Sequence, residues 1–265
     1  MKVTGERVST TAGAFNPTFQ RHRAAYRAAA EIIGPGRVLD LGCGTGHSIG
    51  ELAPRESVGV DIDAASLAGQ QRQTVVADLR DTPFDAGSFP SVVCIHAIEH
   101  VPDPDKVAVE AARVLEPGGV AVIVTPNRLT FARADEIVDP YHEVEMDRHE
   151  LRTAVEGAFA EVEMLGLFGS ERYGQFVARE ARSLDRLLAI DRLRLRRRVP
   201  NRVLRVLYDT ALRAARLRRN DPLAGAITVD DFFIGRDDLD QCLDLVAVCR
   251  KPRRGSRDPV LDSAP

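Results

Sequence analysis

The feature that most constrains the fold is the run Val38-Leu-Asp-Leu-Gly-Cys-Gly-Thr-Gly46, where a short apolar segment stops at three alternating glycines. Glycine adopts positive φ at no steric cost and lets another group approach the backbone closely. A run ending this way predicts a buried strand that turns tightly at its carboxyl end, which is where open α/β sheets bind ligands. The spacing narrows the ligand. A dinucleotide fingerprint, GxGxxG, would need its last glycine at position 47, where the sequence has His47; the turn here is GxGxG.

The flanking sequence supports an α/β reading. Residues 17–33 have a helical pattern stopped by Gly34-Pro-Gly36. Apolar runs at 37–41, 58–60, 74–77, 91–95 and 120–125 are strand candidates. Helices are expected over 45–53, over 64–72 with Asp63 as N-cap, and from Pro104 through 115 with Asp103 as N-cap. On that last helix Lys106 and Glu110 stand four apart and can pair. Strands such as Val120-Ala-Val-Ile-Val124 are apolar throughout, as a sheet covered on both faces requires. With 162–168 and 245–249 added, the expectation is a doubly wound, seven-stranded, mostly parallel sheet.

Composition sets the outer limits. The chain has 265 residues, 44% hydrophobic and 5% aromatic, enough for one large α/β domain with an aliphatic core. The formal net charge of -3 argues against a globally cationic nucleic-acid binder. Cys43, Cys94, Cys242 and Cys249 form no CxxC pair and read as reduced, buried thiols. The start is polar, and there is no apolar run of about 18 residues. A cytoplasmic location without a spanning helix is therefore expected.

One stretch differs from the rest. Between Arg182 and Arg219 there are thirteen arginines against Asp185, Asp191 and Asp209. The expected organisation is an N-terminal arm and helix (1–36), an α/β core (37–170), an arginine-rich helical cap (171–230) inserted before the last strand (231–250), and a disordered tail (251–265). Leucines of the cap would pack inward and arginines face solvent. Its charge fits an anionic acceptor or a peripheral membrane contact. RNA fits less well, because Tyr208 is the only interleaved aromatic.

Two acids follow the glycine turn in order. Asp61 closes the run Val58-Gly-Val60, and a carboxylate there can accept both hydroxyls of a ribose. Asp78-Leu79 closes the next run. The sequence of VLDLGCGTG, VGVDID, ADLRDTPFDAGSF, VVCIHAIEHVPDP and RVLEPGGVAVIVTPNR resembles the class I S-adenosylmethionine (SAM)-dependent methyltransferases, in unbroken order over residues 37–168. The resemblance implies a Rossmann-like fold and SAM as methyl donor. It implies that Gly42, Cys43, Gly44 and Gly46 shape the turn facing the methionyl part. Asp40 would support the turn or meet the methionine amino group. Asp61 would hold the ribose beside Ile62, Asp78 and Leu79 would frame the adenine, and His96 would touch the donor. Cys43 would act through its backbone, its thiol being inert.

His96-Ala-Ile-Glu99-His100 is HxxEH, but Pro102 follows, so the helix of an inverted zinc peptidase is missing. Quinone-biosynthesis O-methyltransferases of the superfamily resemble this stretch with ExxEH before VPDP, which implies a divalent ion in them. Here His96 replaces the first acid. A hard cation prefers oxygen ligands, and no metal is expected.

A hydroxyl acceptor must lose its proton as it attacks, and histidine suits that task. His142, in Asp139-Pro-Tyr-His-Glu143, is the expected base, with His100 second. TPN after the fifth strand and a Pro-aromatic-His segment resemble methyltransferases found with surface-polysaccharide genes. Asp147 and Glu150 are spaced as a capping box for the helix after that segment. The D/N-P-P-Y/F motif of nucleic-acid amino-methylases is absent after the fourth strand. The expected function is O-methylation of a small molecule or sugar. A quinone- or polyketide-like acceptor, and a SAM-binding or partner-binding protein without turnover, stay open.

Overall fold

A computed structural model of the chain describes residues 11–131, 141–190 and 221–253. Eight strands form one sheet: β1 (Val38–Leu41), β2 (Ser57–Asp61), β3 (Thr74–Val76), β4 (Phe89–Ile95), β5 (Leu115–Pro126), β6 (Phe159–Gly169), β7 (Phe232–Gly235) and β8 (Asp244–Pro252). Their order is β3-β2-β1-β4-β5-β8-β6-β7. The first five run parallel, and β8 inserts antiparallel between β5 and β6. The order reverses between β1 and β4, the switch point at which such sheets bind ligands.

Among the described residues the helices are α1 (Asn16–Ile32), α2 (Ala64–Leu67), α3 (Pro104–Val114), α4 (Arg128–Phe131), α5 (Arg148–Glu156), α6 (Glu171–Ile190) and α7 (Pro222–Ala226). Alternate strand residues feed two apolar layers. Leu39, Val58, Val92, Ala121 and Ile123 pack with Val107, Ala111 and Leu151 of α3 and α5. Val38, Val93, Val122, Val246 and Val248 pack with Ala25, Ala29 and Phe176 of α1 and α6. Both sets are apolar because both faces are covered, each fully buried Val or Leu contributing about 1.5–3 kcal/mol.

The sheet has eight strands where the sequence predicts seven. The extra one, β7, is four residues long and pairs antiparallel with β6 at the sheet edge. Two expected helices shrink for local reasons. The segment after the glycine turn forms only a 3-10 turn, Ile49–Leu52, and α2 stops at Leu67 before Gly69. Asp63 does cap α2 through Ala65 N, and Asp147 and Glu150 form the capping box of α5. Asp103 makes no cap bond; it bridges Arg80 and Lys106, while Glu110 pairs with Arg113 instead of Lys106. The tail begins later than expected, since Lys251 and Pro252 still belong to β8. Residues 191–220, with most of the arginine-rich stretch, lie outside the described residues, as does most of the expected tail. No helix among the described residues is long and apolar enough to cross a membrane.

Candidate active site

The carboxyl ends of β1, β2 and β4 border a cavity of about 350 Å³. At the end of β1 the backbone N–H groups of Gly42 and Cys43 both donate to Val60 O, at 2.8 and 2.9 Å. This folds the turn over β2. Gly42 sits at φ +76°, and a Cβ there would lie 2.2 Å from the Cβ of Ala97. Gly44, at φ +52°, has nothing within 4 Å of where its Cβ would stand, so that backbone is open to a ligand. Asp61 ends β2, accepts from Gly44 N at 2.9 Å through Oδ2 and from Asp63 N at 2.8 Å through Oδ1. It therefore fixes the turn and faces the cavity at once. Ile62 follows, 70% exposed, as an apolar rim. Asp78 lies two residues beyond β3 and is held by Arg80, whose hydrogen bonds keep its carboxyl below the usual range. Leu79 is buried beside it.

Gly42, Cys43, Gly44, Asp61, Ile62, Asp78, Leu79 and His96 all line the cavity, an arrangement that fits a ligand with an apolar ring, a diol and a polar tail. Asp40 does not line it. It is fully buried in β1, with Oδ1 accepting from Tyr26 Oη at 2.9 Å and Oδ2 from Arg72 at 2.8 Å. Both of these contacts are with core residues, and neither is with the turn itself. Gly46 faces Gln70, whose Nε2 donates to Gly44 O at 2.8 Å. Burial pushes the Cys43 thiol up to about 12, so it stays protonated at neutral pH.

The wall opposite the turn comes from α1, through Thr18, Arg21 and His22. Arg21 clasps Asp244, the first residue of β8, with Nε at 2.8 Å from Oδ2 and Nη2 on Oδ1. Nη2 also donates to Leu243 O at 2.7 Å. His96 joins from the other side, its Nε2 2.9 Å from Asp244 Oδ1. Burial alone would raise the Asp244 carboxyl; the Arg21 charge and the His96 contact outweigh it and hold it well below the usual range. His96 has φ +50°, an uncommon conformation for histidine that these contacts sustain.

A histidine stack completes this side. The His22 ring lies 4.5 Å from His47 and 5.3 Å from His96, and Phe19 lies 5.3 Å from His47. Burial, then the neighbouring rings, hold His22 well below its ordinary value; burial and then His96 bring His47 down to about 4. Asp244 opposes the shift at His22, and Arg21 adds to it. Both rings are thus kept neutral in the folded chain. The unfolded chain takes up their protons first as pH falls below about 6.5, so their contribution is complete above that pH and shrinks from there toward 4. Thermal melts at pH 5 should show a Tm roughly 2–4 °C below that at pH 7, the response of such a domain to about 1 kcal/mol. In His47→Gln that difference should narrow; an unchanged difference would put its source elsewhere.

The two expected catalytic histidines meet at the remaining corner. The His100 and His142 rings are 5.2 Å apart, and both line the cavity with Glu99. His100 Nδ1 is 3.0 Å from Tyr141 O, and His142 Nδ1 is 3.3 Å from Glu145 Oε1. Glu99 is 1% exposed and accepts from Thr125 Oγ1 at 3.0 Å. Its carbonyl receives the N–H groups of Glu143 and Val144 at 2.9 and 3.2 Å, which ties the His142 loop to the turn after β4.

Sequence reasoning missed Arg21, His22, His47 and Asp244. A signal existed for two of them. Thr18, Arg21 and His22 stand at i, i+3 and i+4, a polar stripe on a helix otherwise rich in alanine.

Comparisons with known proteins bear on the family and the fold. A family model described as a methyltransferase domain matches residues 39–123. A probable S-adenosylmethionine-dependent methyltransferase of Mycolicibacterium smegmatis is 31% identical over 264 residues, covering 95% of this chain and 96% of its own. Tocopherol O-methyltransferase of Arabidopsis thaliana is 32% identical over 126 residues, 42% of this chain and 36% of that protein. Among solved structures, a SAM-dependent methyltransferase from Thermotoga maritima superposes with TM-score 0.56 at 15% identity, covering 88% of this chain and 92% of that one. That likeness is one of fold.

Proposed function

The chain belongs to the SAM-dependent methyltransferases, and from this premise we propose that it methylates a hydroxyl oxygen of a small molecule or sugar. The observation that carries the reading is the Glu99, His100 and His142 corner, a group of proton-accepting side chains on the same cavity as the glycine turn. Bound SAM supplies a methyl group on a positively charged sulfur, open to in-line attack. Asp61 and Asp78 would hold the donor by its ribose and adenine, beside Ile62 and Leu79. The turn at Gly44 would let its methionyl part lie against the backbone. With Nδ1 of His142 engaged by Glu145, the lone pair of the neutral ring sits on Nε2, which would take the acceptor's proton as the oxygen attacks. Holding the oxygen and the methyl carbon in line supplies much of the remaining rate. The partial likeness to a tocopherol O-methyltransferase supports oxygen as the target.

Incubation with isotope-labelled SAM and fractionated small-molecule and glycan extracts tests this. The expected product is a labelled methyl ether; label found only on nitrogen or carbon would overturn the proposal. The donor half is tested with Asp61→Ala. Hydrogen bonds to a charged group contribute about 1.5–3 kcal/mol each, so calorimetry should show SAM binding weakened roughly 10- to 100-fold. Unaltered affinity would place the ribose elsewhere.

A further inference from the structure

We propose that Glu99, His100 and His142 form a binding site for a divalent transition-metal ion of the zinc class. The proposal deepens the reading above and rests on it for the identity of this corner as the acceptor side. One ligand atom from each of the three residues lies within 4.8 Å of the others. Among the described residues no other group of three or more His, Cys, Asp or Glu side chains converges in this way.

Three observations point to a metal beyond simple proximity. The first is how the rings are held. The Nδ1 of His100 faces a backbone carbonyl, and that of His142 faces a buried carboxylate. Both partners are acceptors, so each Nδ1 carries the hydrogen and each Nε2 the lone pair. Metal-bound histidines are held this way, by a carbonyl or carboxylate on the nitrogen that does not coordinate. The second is the charge balance. Glu99 is buried, and its side chain has one hydrogen bond among the described residues, from Thr125, with no ion pair. A buried carboxylate so sparsely compensated is costly, and a cation between it and the two rings removes that cost. The third is the position. Three protein ligands bordering a cavity leave a coordination place open, the arrangement of catalytic rather than structural zinc.

The donor set selects the ion. Magnesium and calcium favour oxygen ligands, whereas two imidazoles and one carboxylate suit zinc, cobalt or nickel. The site is not the linear HxxEH string. His96 is turned away at φ +50° onto Asp244, and the third ligand comes from a loop more than forty residues later. An ion here would hold the acceptor oxygen and stabilise its negative charge as the proton leaves to water. A lone pair of that oxygen then forms the C–O bond while the S–C bond breaks, its electrons staying on sulfur. In the loaded protein the rings act as ligands, and the proton goes to solvent instead of His142.

The test uses chelator-treated full-length protein and Zn²⁺ alone, followed by calorimetry. Expected is saturable binding of one ion per chain, weakened at least about 100-fold in His100→Ala and in His142→Ala, and about 10–100-fold in Glu145→Gln, where only the outer hydrogen bond is lost. His149→Ala, an exposed histidine on α5, should bind as the parent does. Co²⁺ should give a visible ligand-field band that the Glu145→Gln chain retains in altered form, which covers the case in which the ligand variants fail to fold. Absence of one-to-one Zn²⁺ binding, equal binding in folded ligand variants, or equal affinity for Mg²⁺ overturns the site. Methyl ether formation by protein that binds no Zn²⁺ would sink the metal and leave His142 as base. Zn²⁺ binding without any methyl ether product would sink the hydroxyl acceptor and leave the metal site standing.

Discussion

Asp244→Ala is expected to lower the free energy of unfolding by about 3–5 kcal/mol, the range for removing one partner of a buried ion pair. Asp244 is fully buried, and Arg21 is 12% exposed. Without the carboxylate, the guanidinium keeps Leu243 O and Tyr173 but loses the negative charge that balances it in the cavity wall. His96 loses the contact that supports its positive φ. Urea unfolding measures the loss directly, and a decrease under about 1 kcal/mol would show the pair to be dispensable. Arg21→Ala combined with Asp244→Ala should cost less than the two changes summed, because the second removal relieves the charge left by the first. The pH dependence has a defined sign. The Asp244 carboxyl is depressed in the fold, so its contribution is complete above the ordinary carboxyl range, near 4, and is lost as pH falls toward the folded value. The variant should therefore have the flatter acid limb. Because Arg21 and His22 line the cavity, loosening α1 should also weaken SAM binding.

His142→Ala should reduce turnover by about 10²–10⁴-fold, the usual contribution of a positioned acid or base, with SAM affinity unchanged. The separation of the two effects follows from the layout. The residues proposed to hold the donor come from the ends of β1 and β2, the segment after β3 and the turn after β4, whereas His142 reaches the cavity from the loop before α5. Among its contacts are His100 and Glu145, neither of which belongs to the residues proposed to hold the donor. Single-turnover measurement with saturating SAM reads the methyl-transfer step alone. Unimpaired turnover would end the role of this residue, whether as proton acceptor or as ligand. A parallel fall in SAM affinity would instead mark the loop as part of the donor site.

Much of this was legible in the sequence because the fold is repetitive and local. The strand, glycine turn and following acid occupy a few consecutive residues, and their order along the chain is their order across the switch point. Asp61 and Asp78 could be placed for that reason. The contacts that escaped are those between distant segments. Nothing near Asp244 announces that it will meet Arg21, 223 residues earlier. Asp40 belongs to the glycine motif by sequence, yet its side chain points into the core, to Tyr26 and Arg72. His47 could be read only as a missing glycine, although its ring stacks on His22. The sheet was undercounted because β7, about as short as β1 and β3, lacks the β–α repeat that marked those two. The helix expected after the turn failed because Gly46 and Gly50 lie within it, and glycine favours neither helix nor any other regular state.

The clasp between Arg21 and Asp244 also bears on how the molecule is made. Chains emerge from the ribosome amino end first, so α1 leaves it before any strand of the sheet. Its anchor lies on the last strand described here. Tyr26 can tie the helix to Asp40 of β1 early, but the Arg21 stretch that forms the cavity wall must wait for nearly the whole sheet to be synthesised before it can be fastened. Until then the glycine turn and the segments after β2 and β3 can already be in place, but their cavity has one wall unsecured. Nascent chains halted before Asp244 should accordingly gain protection from proteolysis over β1–β5 and the Tyr26 end of α1 before the Arg21 stretch does, and retention of SAM should follow the synthesis of Asp244.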